Sequence, residues 1–128
     1  NIQVVTNLGP EVPKVWGDFN QIQQCIINLV FNAIDAMPEG GTLTIGSSLK
    51  PKDGTVEIRL KDTGSGIASE DLPRIFDPFF TTKQPGKGTG LGLSISYGII
   101  QDHKGEIEVV DTGPKGSTFC IRLPVPAP

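Results

Sequence analysis

Apolar positions recur along the chain with two different periods, and the switches between them outline its elements. IQVVTNL at 2–8 is rich in β-branched residues and predicts a strand, which the Gly9-Pro10 to Pro13 stretch breaks. Past Asp18, a residue suited to capping a helix, Ile22, Ile26, Leu29, Val30, Ala33 and Met37 fall on one stripe. A helix is therefore expected from Asp18 to about Met37, stopped by Pro38-Glu39-Gly40-Gly41. TLTIGSSL (42–49) and TVEIRLKD (55–62) alternate with period two and join across Pro51 to Gly54 as a hairpin. Glu70 to Phe76 predicts a short helix capped by Ser69, and residues 77–90 carry no period. A second helix is expected from about Gly90 to His103, burying Leu91, Leu93, Ile95, Ile99 and Ile100, with Gly105 as its stop. EIEVVD and STFCIRL pair around Gly113 to Gly116, and the tail PVPAP cannot extend a sheet. Helices interleaved with mostly hairpin-joined strands predict an α+β fold, a two-layer α/β sandwich whose mixed, mostly antiparallel sheet is covered by helices on one face.

Bulk properties narrow the function. The 128 residues fit a single domain, 1–128, with a core of its own. A net charge of −3 supplies no basic field, so nucleic acid is excluded as the main partner. Cys25 and Cys120 are far apart, show no metal-ligand spacing, and read as buried free thiols of a reducing compartment. No stretch approaches the roughly 20 apolar residues of a membrane span, and CIINLVF is interrupted by Asn28, so no membrane insertion of this domain is expected. No signal-peptide pattern opens the chain, and a cytoplasmic location is expected. The first residue is Asn1 rather than Met and already belongs to a strand, which reads as a piece of a longer protein.

Four stretches resist a purely structural reading. In the first helix, Asn28 and Asn32 lie four apart and share a face with Asp35 at about 100° per residue, away from the core stripe. A solvated face would explain them, but no Lys or Glu occurs between Asp18 and Met37 to populate it. Asparagine carbonyls also suit a hard cation such as magnesium. DTGSGI at 62–67 follows a strand directly, either as an ordinary turn or as a carboxylate aimed at a ligand. IFDPFFTTK (75–83) packs three phenylalanines into five residues; core packing accounts for Phe76 more comfortably than for all three. KGTGLGLSIS (87–96) places glycines at alternate positions before an apolar helix. It is no dinucleotide fingerprint, since Leu93 stands where the third glycine belongs, and no P-loop, since Gly88 follows Gly86-Lys87.

In this order and spacing the stretches resemble the boxes of the catalytic ATP-binding domain of sensor histidine kinases, in the wider family of gyrase, the large heat-shock chaperone and mismatch-repair ATPases. NLVFNAIDAM resembles the asparagine box, DTGSGI the first glycine box, IFDPFFTTK the phenylalanine box, GKGTGLGLSI the second glycine box, and GSTF (116–119) the last Gly/Thr element. The resemblance implies the Bergerat-type ATP-binding fold. It implies that Asp62 accepts the exocyclic amine of adenine, with Gly64, Gly66 and Ile67 alongside the purine and Thr118 near the same edge. Asn32 and Asn28 would hold Mg2+ against the phosphates of ATP. Phe76 would border the pocket, and Lys83, Lys87, Gly88, Thr89, Gly90, Leu91, Gly92 and Leu93 would form a mobile lid and a helix start facing the phosphates. Three positions depart from the pattern. Asp35 stands where many relatives carry a basic residue, so a contact through water or behind the metal is expected there. Thr81 stands where others carry Arg, a charge that Lys83 or Lys87 would supply. His103-Lys104-Gly105 replaces His-Gly-Gly and reads as a helix cap, with His103 structural.

The hydrolysing branches place a Glu four residues before the key asparagine as general base; here that position is Asn28, a neutral amide that cannot take a proton from water. The resemblance therefore implies a protein-histidine kinase module that passes the γ-phosphoryl of ATP to a histidine on an adjacent dimerisation domain, with a response regulator receiver domain downstream. Catalysis would rest on Asn28 and Asn32. The competing readings are a non-catalytic ATP-sensing module and an anti-sigma-type serine kinase of the same superfamily.

Overall fold

The computed structural model of the chain describes residues 2–8, 18–50, 54–77 and 92–125. Strands β1 (Ile2–Leu8), β2 (Gly41–Lys50), β3 (Thr55–Asp62), β4 (Glu106–Gly113) and β5 (Gly116–Pro124) form one five-stranded sheet in the order β1-β2-β3-β5-β4. β1 runs parallel to β2, with Val4 opposite Leu43, and the other three pairings are antiparallel. A parallel neighbour cannot be reached by a tight turn. The crossover is supplied by helix α1 (Phe19–Asp35), while α2 (Gly92–Asp102) separates β3 from β4.

Strand alternation assigns the two sheet faces. Leu43, Leu60, Ile107, Phe119, Ile121 and Leu123 share one side and pack with Cys25, Leu29 and Ala33 of α1, with Met37 just beyond it, and with Ile100 of α2. Each Leu, Ile, Phe or Met side chain among these contributes about 1.5–3 kcal/mol when fully buried, so this layer dominates the fold. The opposite side of the sheet is polar: Arg59 pairs with Glu57, and Arg122 Nη1 meets Glu108 Oε1 at 2.7 Å. Both described helices thus cover one face, as the sandwich requires. Cys25 and Cys120 are buried free thiols. Burial, reinforced by the charge of Glu57, pushes the Cys120 thiol up to about 11; burial also raises Cys25, against the effect of its hydrogen bond at Ser96. Among the described residues no helix is long and apolar enough to cross a membrane.

The element boundaries correct the sequence reading in four places. Asp18 caps α1 as expected, its Oδ1 accepting from Gln21 N at 3.1 Å. The helix nevertheless ends at Asp35, before Met37, because Ala36 N reaches both Asn32 O and Ala33 O and the chain tightens into a turn. The short helix expected over Glu70 to Phe76 is instead a 3-10 turn at Leu72–Arg74. The amides of Asp71, Arg74 and Asp77 donate three residues back, to Ala68, Asp71 and Arg74. Pro73 is the cause, since it lacks the N–H that an α-helix begun at Glu70 needs at that point. Ile95, expected in the core, is 47% exposed. Finally, the left-handed stop of α2 falls on Lys104, φ 61°, not on Gly105. Gly105 is required for another reason: a Cβ there would lie 2.3 Å from Arg122 O.

His103 ties the two helices together. Its Nε2 accepts from Asp18 N at 2.9 Å and its Nδ1 donates to Ile99 O at 2.7 Å, so both ring nitrogens are engaged in structure and a single tautomer satisfies both.

Candidate functional site

β3 delivers Asp62 to its end on the helix-covered side of the sheet, where the residue is only 3% exposed. Oδ1 accepts from two backbone amides, Gly64 N at 2.9 Å and Ser117 N at 3.2 Å. Oδ2 has no partner among the described residues. A carboxylate with one oxygen locked by two N–H groups and the other open presents a directed acceptor.

The glycines after Asp62 serve the fold first. A Cβ on Gly64 would lie 2.4 Å from Ala36 O, the carbonyl that also accepts from Ser65 N. Gly66 has φ +80°, and its Cβ would lie 2.0 Å from Gly113 O. The loop is thereby pressed against the end of α1 on one side and the β4–β5 turn on the other. Gly66→Ala should cost about 2–3 kcal/mol of stability, from the left-handed backbone and the clash together. An unchanged thermal unfolding midpoint would contradict this packing.

Beyond them, Ile67 N donates to Thr112 Oγ1 at 2.8 Å, and Thr112 Oγ1 lies 2.8 Å from Ser117 Oγ. Thr118, expected at the purine edge, pairs with Lys61 and Asp111 on the sheet's polar side, along with Cys120 and Arg122. Ser117 is the residue on the Asp62 side. Sequence reasoning missed it, although the alternation Ser117, Phe119, Ile121, Leu123 carries the signal.

On α1, Asn28 and Asn32 have separate situations. Asn28 Nδ2 donates to Gly92 O at 3.1 Å and Ser96 Oγ at 3.2 Å, while its Oδ1 accepts from Gln24 Nε2 at 2.9 Å. Ser96, wholly buried, also donates to Gly92 O at 3.0 Å. Asn28 thus fastens the first turn of α2 to α1, with both of its amide protons engaged. The Asn32 side chain is half-buried and makes no hydrogen bond among the described residues. Its carbonyl oxygen fits a magnesium ion held chiefly by phosphate and water. Among the described residues no cluster of three or more His, Cys, Asp or Glu offers an all-protein cage instead. Asp35 is exposed, one turn from Asn32.

Gly92 opens α2, and Leu93 and Phe76 pack against the core, the Phe76 ring 5.3 Å from that of Tyr97. Lys83, Lys87, Gly88, Thr89, Gly90 and Leu91, with Phe79, Phe80 and Thr81, lie outside the described residues. The end of β3, the last turns of α1 and the start of α2 therefore converge. Gly64 and Ser65 sit on Ala36, whose amide bonds Asn32 O, and Asn28 holds Gly92.

The model of the histidine kinase-, DNA gyrase B- and HSP90-like ATPase family matches residues 17–127. The chain is 42% identical over 125 residues to sporulation kinase E of Bacillus subtilis, covering 98% of itself and 16% of that protein. It therefore spans a small part of that relative's length. The nucleotide-free catalytic domain of histidine kinase ThkA has the same fold, with a TM-score of 0.83 at 38% identity over 98% of this chain and 82% of that one. ThkA in complex with the response regulator protein TrrA matches at a TM-score of 0.79 and 34% identity, covering 98% of this chain and 34% of that one. Because the match runs through both helices, four of the five strands and every box that the site is built from, the chain belongs to the histidine kinase-, DNA gyrase B- and HSP90-like ATPase family.

Proposed function

We propose that the chain is the catalytic module of a sensor histidine kinase: it binds ATP with magnesium and donates the γ-phosphoryl group to a histidine on a separate helical domain. The observation that carries the ATP half is Asp62, with Oδ1 held by Gly64 N and Ser117 N and Oδ2 open. Oδ2 accepts from the 6-amino group of adenine, and the Ser117 hydroxyl lies beside it on the same side of the sheet. Asn32 supplies a neutral oxygen to the magnesium, which neutralises phosphate charge when bound. The start of α2, kept in place by Asn28 and Ser96, turns its amides toward the phosphates.

The preference for transfer over hydrolysis is supported by Asn28. An amide already donating to Gly92 O and Ser96 Oγ cannot deprotonate water, and phosphoryl transfer then depends on positioning and charge neutralisation. The nucleophile comes from the partner domain, and a response regulator receives the phosphoryl group next, in keeping with the complex of ThkA and TrrA. Such a module works in the cytoplasm, as one part of a longer kinase.

Titrating the chain with magnesium-ATP and magnesium-GTP in a calorimeter tests the binding half. ATP is expected to bind at least about a hundredfold more tightly, since guanine offers Asp62 an acceptor where adenine offers a donor. Equal affinities would overturn the adenine assignment.

A further inference from the structure

The geometry points to Thr112 as a positioning residue that sets the hydrogen-bond polarity of the purine edge; this rests on the nucleotide reading above. Thr112 belongs to β4, outside every stretch that the sequence singled out, yet its hydroxyl joins two parts of the site. Its Oγ1 accepts from Ile67 N at 2.8 Å, clamping the loop that follows Asp62, and lies 2.8 Å from Ser117 Oγ.

Either hydroxyl can donate in that second bond, and each direction leaves one proton without a partner among the described residues, so the bound purine decides between them. If Thr112 donates to Ser117, the Ser117 proton is released to point out of the pair, on the Asp62 side. In the reverse arrangement Ser117 donates to Thr112, and the Thr112 proton has no acceptor among the described residues. With adenine bound, the first arrangement leaves no donor unused, because the N1 lone pair meets the Ser117 proton. The site then offers an acceptor, Asp62 Oδ2, beside a donor, the Ser117 hydroxyl. Adenine presents the complement, its amine beside the N1 lone pair, met directly or across one water. Guanine presents both groups reversed.

Thr112 touches no substrate in this arrangement. It acts through Ser117 and Ile67, and its loss should be felt at N1 of the purine rather than across the whole nucleotide.

The test is calorimetric titration of the chain and its Thr112→Val and Thr112→Ser variants with ATP and with 1-deaza-ATP, which lacks the N1 acceptor. Thermal unfolding of each variant is followed alongside. Thr112→Val should weaken ATP binding roughly five- to tenfold and 1-deaza-ATP binding by less than about twofold, and Thr112→Ser should restore the ATP value. Ser117→Ala, which leaves the Ile67 clamp intact, should reproduce the selective loss and serves if Thr112→Val folds poorly. ATP binding unchanged in Thr112→Val, or equal losses for both nucleotides in Thr112→Val and Ser117→Ala alike, would overturn the assignment while leaving the ATP site standing. A wild-type chain that binds neither nucleotide would instead remove the nucleotide reading, and this inference with it.

Discussion

Asp62→Asn should abolish ATP binding while leaving the fold intact. Two amides, Gly64 N and Ser117 N, require an oxygen at the Oδ1 position, so the asparagine NH2 must occupy the place of Oδ2. There it faces the adenine amine donor to donor. Losing a charged acceptor and creating that mismatch costs about 3 kcal/mol or more, at least a hundredfold in affinity. The inverted edge should also erode the preference for ATP over GTP, because an NH2 group can donate to the guanine oxo group. Calorimetry measures both, with a thermal melt to show that the variant is folded. A folded variant that binds ATP normally would remove Asp62 from the pocket.

What could be read from the sequence was whatever strand and helix periods encode locally. The stripe on α1, the alternation in β2, β3 and β5, and the cap at Asp18 all follow from neighbours within a turn or a strand, and they are where the structure has them. The 3-10 turn at Leu72–Arg74 shows the limit of that reading, since Pro73 overrode a period too short to stand against it. Asp62 stood out because a carboxylate at a strand end before two glycines is locally odd. Its distant partner Ser117 N did not, nor did Thr112 beside Ile67, because these contacts join residues more than forty positions apart. Gly64 and Gly66 were assigned to the ligand, whereas Ala36 and Gly113 already demand them. Asn28 and Asn32 look equivalent in sequence. The start of α2 distinguishes them by engaging the first and leaving the second alone.

That difference sets up the second large effect. Asn32→Ala should lower phosphoryl transfer to a partner histidine by about a hundredfold, because the oxygen proposed to hold magnesium would be lost where charge develops. Its melting temperature should scarcely move, the side chain having no hydrogen bond among the described residues to lose. Asn28→Ala should do the opposite at first sight, lowering stability by about 1–2 kcal/mol as the bonds to Gly92 and Ser96 go. Transfer kinetics and thermal unfolding on the two variants separate these roles. Asn32→Ala transferring at the wild-type rate would take Asn32 out of the reaction.

Under the proposed function this module gives phosphate to a histidine elsewhere and does not give it to water. Incubating the unmodified chain with magnesium and γ-labelled ATP, alone and with a dimeric helical domain that bears a histidine, measures this directly through free phosphate and protein-bound label. The chain alone should bind ATP, label nothing and release little phosphate; adding the domain should produce label on that domain, lost in acid and kept in base. Rapid phosphate release by the chain alone, with no label on the added domain, would contradict the kinase assignment and place the chain among the hydrolysing ATPases.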